Sequence, residues 1–489
     1  MIPVFGKPRG VVFAHEMGLG KTAATVATIA ELRRRGKDIY PLVLTAPLSM
    51  LAHWKETFEL YAGFTDKAEI IHLGNKDRVP MYQAQVWIMT FEGLTQQFKE
   101  IALKRAKMIV VDEASKLKNP KARFVKVMKK LAKTCDYRLL LTATPLENNV
   151  MELHTLMNIV HPGFGGSERR FKMQFKKSLE DGVKPDASPT QQLFARKAAV
   201  ELNNMLRPFL LRKLNPTPKQ CDIVVQTPMT PEQETCYNLV KDSHEMIFKK
   251  QRKVKWQGSS YTESYLDPIS RKRQQKQMAE LWSVVVGTHP LMNSVETGKL
   301  SWFRNHLPNM LGQSGKIAIF FKYLETLKNT RILLENMGIE CVTINGAVSA
   351  QDRNLAILAM NTGTARVLLG TSRSCGYGIN LLSINKIILA EVDWNGSIDL
   401  QTAARGSRPG NPNAVTVYRM ATPHSIEQHA DTVASNKLTL SRLVLDDRLP
   451  KRDSSHAIAL KKAHKLTMQS CEMESFDLRQ QKRAVHFQC

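Results

Sequence analysis

The sequence predicts an α/β protein made of two parallel-sheet lobes with a helical insertion between them. Residues 11 to about 160 alternate short β-rich runs with helical stretches, and the alternation returns from about residue 315. Such alternation is typical of parallel strands covered by helices. The interval between is rich in Lys, Arg, Gln and Met and predicts helices. We therefore divide the chain into a first lobe (1–164), a helical insertion and linker (165–300), a second lobe (301–445) and a basic tail (446–489).

The strands of both lobes are predicted from apolar runs, which suit a parallel sheet buried on both faces. In the first lobe the runs are VVFA (11–14), PLVLTAP (41–47), AEIIHL (68–73), QVWIMT (85–90), KMIVVDEA (107–114) and YRLLLTATP (137–145). In the second lobe they are KIAIFF (316–321), ECVTING (340–346), ARVLLGT (365–371), KIILAEVDW (386–394) and AVTVYRM (414–420).

The composition points to a globular protein with a polyanionic partner. Hydrophobic residues make up 43% of the 489 residues and charged residues 23%, which is ordinary for globular chains of two or three domains. Lys and Arg number 70 against 44 Asp and Glu, so the net charge is +26. Because such an excess neutralises phosphates, nucleic acid is the first candidate partner. A basic surface that only aids solubility is the alternative.

The sequence gives no sign of a membrane partner or of a structural zinc site. It contains neither a run of 18 apolar residues nor an N-terminal signal layout, so we expect a soluble intracellular protein. The seven cysteines are scattered and form no C-x-x-C pair, which argues against both a disulfide framework and zinc.

A glycine-rich turn follows the first predicted strand and opens the first predicted helix. In HEMGLGKT (15–22), the glycines let backbone N–H groups approach phosphate oxygens, Lys21 reaches the β and γ phosphates, and Thr22 ligates Mg²⁺. His15 stands where the full phosphate-loop pattern has glycine, so the match is to the GxGKT core. The predicted ATP-binding residues here are Met17, Gly18, Leu19, Gly20, Lys21, Thr22 and Ala23.

An acidic pair ends the apolar strand KMIVV. Asp112 and Glu113 are expected beside the phosphates, since ligands bind at the carboxyl ends of parallel strands. Asp112 is predicted to hold Mg²⁺, together with Thr22, and Glu113 to polarise the attacking water. A solvated acidic loop is the alternative for the pair in isolation.

A second-lobe segment carries the positive charge that a phosphoryl-transfer transition state needs. In IDLQTAARGSRPGN (398–411), Gln401, Arg405 and Arg408 have the spacing of one helical face and are predicted to point into the cleft. A basic surface helix is the alternative.

Taken in order, the motifs resemble those of Swi/Snf-type ATPases of helicase superfamily two. The resemblance spans residues 11 to about 440. Its first-lobe motifs are HEMGLGKT, VLTAPLSMLAHW (43–54), MTFEGL (89–94), DEASKLKN (112–119) and LLLTATPLENN (139–149). The later motifs are LRPFLLRKLNPTPK (206–219), INGAVSAQDR (344–353), LLGTSRSCGYGINL (368–381), DWNGSIDLQTAARGSRPG (393–410) and YRMATPHSIEQ (418–428).

The resemblance implies two RecA-like lobes that close on ATP and Mg²⁺ and grip double-stranded DNA. It implies that the first-lobe residues Lys21, Thr22, Asp112 and Glu113 are completed by Gln401, Arg405 and Arg408, with Gly378 also binding nucleotide. The implied coupling segment between hydrolysis and lobe movement is Thr142, Ala143 and Thr144. The implied contacts with the DNA backbone are Pro47, Ser49, Thr90, Asn345, Gly346, Thr371, Ser372 and Arg373.

The chain departs from the family pattern at several positions. His15 and Ala404 stand where the family has aspartate, and Ser374 and Cys375 replace an Ala-Gly pair. We expect His15 either to bond locally or to perturb the charge of the loop. The family also has an upstream glutamine that contacts adenine, whereas the first glutamine here is Gln83. Two explanations stay open: the sequence begins late, or the adenine contact comes from elsewhere.

The leading hypothesis is an ATP-hydrolysing translocase on double-stranded DNA that serves replication, recombination, repair or the displacement of bound proteins. We expect it in the cytoplasm of a bacterium or of a virus-infected host cell. A strand-separating DNA or RNA helicase is the alternative within the same class. A nucleotide-controlled DNA clamp with little turnover is the alternative of another class.

Overall fold

The computed structural model of the chain describes residues 9–62, 70–72, 84–214, 220–253, 268–292, 295–312, 315–363, 365–375, 381, 383–406, 411 and 414–446. These residues form two parallel sheets surrounded by helices, which confirms the predicted fold class. Every predicted apolar run contributes to a strand. The predicted basic tail lies outside the described residues, apart from its first position.

The first lobe is built on a sheet with the strand order β3-β4-β2-β5-β6-β1-β7, and its paired strands run parallel. Its strands are β1 (Arg9–Phe13), β2 (Leu42–Thr45), β3 (Ile70–His72), β4 (Val86–Met89), β5 (Met108–Val111), β6 (Tyr137–Leu141) and β7 (Leu210–Leu211). Its helices are α1 (Lys21–Arg34), α2 (Leu51–Ala62), α3 (Phe91–Gln96), α4 (Phe98–Leu103), α5 (Arg123–Thr134), α6 (Val150–Val160), α7 (Glu168–Phe171), α8 (Lys177–Gly182) and α9 (Pro189–Leu206).

The second lobe is built on a sheet with the order β10-β11-β9-β12-β13-β8, again with parallel pairing. Its strands are β8 (Gln220–Gln226), β9 (Ile317–Phe321), β10 (Cys341–Ile344), β11 (Val367–Thr371), β12 (Lys386–Leu389) and β13 (Val415–Ala421). Its helices are α10 (Pro231–Lys253), α11 (Pro268–Val285), α12 (Gly298–Leu311), α13 (Leu324–Asn336), α14 (Ala350–Thr362), α15 (Ser372–Cys375), α16 (Gly396–Ala403) and α17 (Ile426–Asp446).

Each sheet has a core on both faces, as its apolar strands require. In the first lobe every residue of β2, β4 and β5 is buried. One core packs α1 and α2 against one face, and another packs α5 and α6 against the other. Because neighbouring strands run parallel, the carboxyl ends of β5, β6 and β1 lie side by side, where the predicted acidic pair, coupling segment and glycine-rich turn begin.

Two strands within the 165–300 interval were not predicted. β7 pairs with β1 in the first sheet, and β8 pairs with β13 in the second, so the two sheets extend into the interval predicted to be helical. With two residues, β7 is too short for any periodicity to be recognised.

Helix α17 connects the two lobes. Its first turns pack in a second-lobe core through Ile426 and Ala430, and its last turns join a first-lobe core through Leu440 and Leu443. At its end, the main-chain carbonyl of Val444 accepts a hydrogen bond from the Asn203 amide (2.9 Å). The two lobes are therefore connected by the packing of α17 against α9, in addition to the covalent chain that links them.

Candidate functional site

The glycine-rich turn links β1 to α1 in a form suited to an anion. Gly18 and Gly20 have φ of 76° and 68°, which favours glycine, and Gly20 is the N-cap of α1. No side chain caps α1, and its first turn holds no acidic residue. The first N–H groups and the positive end of the helix dipole are therefore available to phosphate.

Lys21 and β7 hold the turn in shape. The Lys21 ammonium donates to the carbonyls of His15 (3.0 Å) and Glu16 (3.1 Å). The N–H groups of Ala14 and Glu16 donate to carbonyls in and just after β7, to Leu211 O (2.8 Å) and Lys213 O (2.9 Å). The strand that the sequence did not predict therefore supports the predicted phosphate loop.

His15, which departs from the family pattern, packs against its neighbours. Its ring stacks on Phe13 with centroids 5.7 Å apart, and its Nδ1 is buried without a hydrogen-bond partner. Burial, with the positive charge of Lys21 nearby, lowers the pKa of His15. The side chain is therefore neutral at pH 7 and adds no charge to the loop.

Asp112 is fixed by hydrogen bonds from its own lobe. The buried Trp54 indole donates to Asp112 Oδ2 (2.8 Å), and the Glu113 N–H donates to Oδ1 (2.9 Å). Burial raises the pKa of Asp112, while these two hydrogen bonds oppose the shift. The motif VLTAPLSMLAHW ends at Trp54, but the contact of Trp54 with Asp112 was not predicted, since no local pattern relates residues 58 positions apart.

Glu113 is held in an unusual backbone conformation with one carboxylate oxygen unpartnered. Its φ of 52° and ψ of 55° lie in the left-handed region, which costs free energy for a residue with a side chain. Its Oε2 is buried without a hydrogen-bond partner. Burial, then the neighbouring Asp112 charge, raises the pKa of Glu113 to about 7, against the opposing effects of Lys21 and Arg405. A carboxylate with that pKa suits a general base.

The second lobe brings Arg405 to this site, though not on a helix. Arg405 is 6% exposed and is one of the charges that act on Glu113. The prediction of one helical face was wrong: α16 contains Gln401 but ends at Ala403, and residues 404–406 form a turn. The Arg405 N–H bonds three residues back to Thr402 O (3.2 Å), which tightens and ends the helix. Arg408 and Gly378 lie outside the described residues.

The residues present fit ATP and Mg²⁺. The uncapped start of α1 offers N–H donors, Lys21 and Arg405 offer positive charge, and Glu113 Oε2 is buried without a hydrogen-bond partner. The Thr22 hydroxyl stands in the first turn of α1, and each oxygen of Asp112 keeps acceptor capacity beyond its single hydrogen bond. An oxygen-only donor set of this kind suits Mg²⁺. Met17, Leu19 and Ala23 lie within or directly after the same turn.

The predicted coupling segment contacts both the phosphate-loop strand and the acidic segment. The Thr142 N–H donates to Phe13 O at the end of β1 (3.0 Å), and Thr142 Oγ1 accepts from Thr144 N (3.1 Å) across Ala143. Lys118, five residues after Glu113, donates to Thr144 O (2.6 Å). These hydrogen bonds connect the carboxyl ends of β1, β5 and β6. That the segment couples hydrolysis to lobe movement stays a prediction.

A largely buried ion pair that the sequence did not indicate contacts this segment. Lys118 Nζ is 2.8 Å from Glu147 Oε1, and their side chains are 7% and 14% exposed. Thr144 Oγ1 also donates to Glu147 Oε1 (2.6 Å). Glu147 is close enough to contribute to the raised pKa of Glu113. The pair therefore belongs to the surroundings of the site.

The predicted first-lobe DNA contacts lie further along the same sheet edge. Pro47 follows β2 and precedes a short 3₁₀ turn that contains the exposed Ser49. Thr90 follows the next strand, β4, and caps α3 by accepting from Gly93 N (3.0 Å). These residues flank the nucleotide site on the β4 side, and their contacts with DNA stay predictions.

The predicted second-lobe DNA contacts also follow adjacent strands. Asn345 and the exposed Gly346 come directly after β10, and Thr371 ends the neighbouring strand β11. Ser372 begins α15, and the side chain of Arg373 lies outside what the structure describes. Both lobes therefore present their candidate DNA contacts at carboxyl ends of neighbouring strands.

In the described ranges, no helix is long and apolar enough to cross a membrane. The same residues contain no group of three or more His, Cys, Asp or Glu side chains arranged to bind a metal ion.

Comparisons with known proteins give relatives along most of the chain. The chain is 26% identical to an uncharacterised ATP-dependent helicase of Mycoplasma genitalium (89% of this chain, 40% of the relative). It is 27% identical to the chromatin structure-remodeling complex subunit snf21 of Schizosaccharomyces pombe (91% and 38%). It is 28% identical to the ATP-dependent DNA helicase DDM1 of Arabidopsis thaliana (89% and 59%). The chain thus spans 38% to 59% of the length of these relatives.

A solved Sulfolobus solfataricus SWI2/SNF2 ATPase core in complex with double-stranded DNA is 25% identical, with a TM-score of 0.39, over 90% of this chain and 88% of that one. The family model for a helicase conserved C-terminal domain matches residues 298–410. The model for the SNF2-related domain matches residues 5–281, more than half of the chain. The chain therefore belongs to the SNF2-related family, as its motifs predicted.

Proposed function

We propose that the chain is an ATP-hydrolysing motor that moves along double-stranded DNA. The observation that carries the proposal is that Lys21 and Asp112 of the first lobe and Arg405 of the second lie close enough to Glu113 to affect its pKa, while Glu113 Oε2 has no hydrogen-bond partner. Binding alone would not require a buried carboxylate whose pKa lies near neutral pH. Membership of the SNF2-related family supports the same activity.

In the proposed reaction, each side chain has one task. Glu113 Oε2 accepts the proton of the attacking water, for which a pKa of about 7 is well matched. Lys21 and Arg405 would supply positive charge to the transferred phosphoryl group, where negative charge develops. Thr22 and Asp112 would hold Mg²⁺, which supplies further positive charge to the phosphate oxygens when bound. Gln401, on the helix that leads to Arg405, is proposed to complete the second-lobe side.

Duplex DNA is proposed as the track. The net charge of +26 favours phosphate binding, and the candidate contacts of both lobes follow neighbouring strand ends. Such contacts position a protein on the backbone without reading sequence. Opening and closing of the lobes with each ATP would then step the protein along, through the Thr142 to Thr144 segment. Replication, recombination, repair or displacement of bound proteins are the processes in which such a step would serve.

The test is phosphate release by the purified chain with Mg-ATP, alone and with duplex DNA, single-stranded DNA or RNA, and with Lys21→Ala as the blank. We expect duplex to stimulate turnover most, and the wild type but not the blank to displace a third strand from triplex DNA. Stimulation only by single strands or RNA would instead favour a strand-separating helicase. DNA binding without turnover above the blank would favour a clamp.

A further inference from the structure

One direct side-chain contact crosses the cleft close to the site. Asn395 of the second lobe donates from Nδ2 to Glu147 Oε2 of the first lobe (3.3 Å). Glu147 is fixed on its other oxygen by Lys118 (2.8 Å) and Thr144 Oγ1 (2.6 Å). The contact therefore ends in a partly buried hydrogen-bonded network of the first lobe.

The same asparagine caps the helix that leads to Arg405. Asn395 Oδ1 accepts from Ser397 N (3.1 Å) at the start of α16, which ends two residues before Arg405. Asp or Ser would cap a helix about as well as Asn does, and Thr somewhat less well. Of these residues, only Asn also carries an amide that can donate to a carboxylate. The two ends of one side chain thus connect α16 to the first lobe.

We propose that Glu147 and Asn395 are positioning residues whose hydrogen bond sets α16, and with it Arg405, against Glu113. The proposal rests on the proposed hydrolysis of ATP. Neither side chain acts on the substrate. Their hydrogen bond holds the two lobes in the relative placement in which the positive charge of Arg405 lies close to the general base Glu113.

The test exploits a swap of the donor and the acceptor. Asn395→Asp keeps the helix cap but removes the donor and sets two carboxylates against each other. Adding Glu147→Gln restores one hydrogen bond with its direction reversed, because the new amide donates to the new carboxylate. Asn149→Asp is the matched control, since Asn149 caps α6 by accepting from Met151 N (3.0 Å) and, among the described residues, makes no hydrogen bond to the second lobe.

We expect Asn395→Asp to lower the DNA-stimulated kcat about 10-fold, the effect of losing a hydrogen bond to a charged group, with the KM for ATP changed less than about twofold. The double variant should return kcat to within about threefold of Glu147→Gln alone, and Asn149→Asp should match the wild type. A purely structural role would lower the melting temperature of Asn395→Asp together with its turnover, whereas a positioning role lowers kcat with the melting temperature nearly unchanged.

Turnover of Asn395→Asp equal to that of Asn149→Asp, or a double variant no faster than Asn395→Asp, would overturn the inference alone. A wild type with no turnover above Lys21→Ala would overturn the proposed function, and this inference with it.

Discussion

The two faces of the cleft differ in what holds their functional groups in place. On the first-lobe face, Asp112 is fixed by Trp54 and by a backbone N–H, and Lys21 is tied to carbonyls of its own loop. On the second-lobe face, Arg405 stands in a turn after α16, whose capping side chain also contacts the first lobe.

The difference indicates a division of labour. The first lobe assembles its nucleotide groups through contacts within itself, so they are in place whatever the second lobe does. The second lobe delivers a charge whose position depends on how the lobes meet. Changes on the first face should therefore remove chemistry outright, and changes on the second should remove the part of the chemistry that depends on how the lobes meet.

The largest effect is expected at Glu113. Glu113→Gln keeps the size of the side chain but cannot accept a proton, so turnover should fall about 10⁴-fold, with DNA binding retained. Phosphate release and DNA affinity measure the two properties. Glu59→Gln, on the exposed side of α2, is the control and should behave as wild type. Substantial turnover in Glu113→Gln would show that another group accepts the proton.

The next effect is expected on the opposite face. Arg405→Ala should lower turnover about 10³-fold, because a positive charge close to Glu113 is lost at the transition state. Arg304→Ala removes an exposed arginine of the same lobe and should leave turnover unchanged. Phosphate release at saturating ATP separates the two variants. Equal rates would place Arg405 outside the chemistry and would make the first-lobe face sufficient by itself.

A smaller effect is expected from pH. The raised pKa of Glu113, about 7, means that the carboxylate form needed as a base is lost as pH falls through that value. Between pH 8 and pH 6 the ionised fraction falls about 10-fold, and kcat/KM for Mg-ATP should fall with it. The residual activity of Glu113→Gln should not follow this profile. A flat wild-type profile over that range would contradict the assignment.

How much the sequence could predict differs between local and long-range features. The strands were predictable because each apolar run is continuous, and the phosphate loop and acidic pair were predictable because each is one short segment at a strand end. The end of α16 at Ala403 was missed, because residue spacing shows a helical face but not where the helix stops. The Trp54–Asp112 and Glu147–Asn395 contacts join residues 58 and 248 positions apart, and no local pattern encodes such pairs.

The smallest effect is expected at Trp54, and it tests whether contacts within the first lobe hold Asp112 in place. Trp54→Phe keeps the buried ring but removes the N–H that donates to Asp112 Oδ2, so the carboxylate should hold Mg²⁺ less well. We expect the Mg²⁺ concentration for half-maximal turnover to rise about fivefold, with kcat at saturating Mg²⁺ nearly unchanged.

Trp87→Phe is the matched control for this change. Trp87 is also buried and donates its indole N–H to Ala84 O (3.1 Å), away from the acidic pair. Both variants lose one buried hydrogen bond, so any shared loss of stability cancels in the comparison. An equal Mg²⁺ requirement in the two variants would mean that Asp112 is held in place without Trp54. A higher requirement in Trp54→Phe alone would mean that the Trp54–Asp112 hydrogen bond supports Mg²⁺ binding.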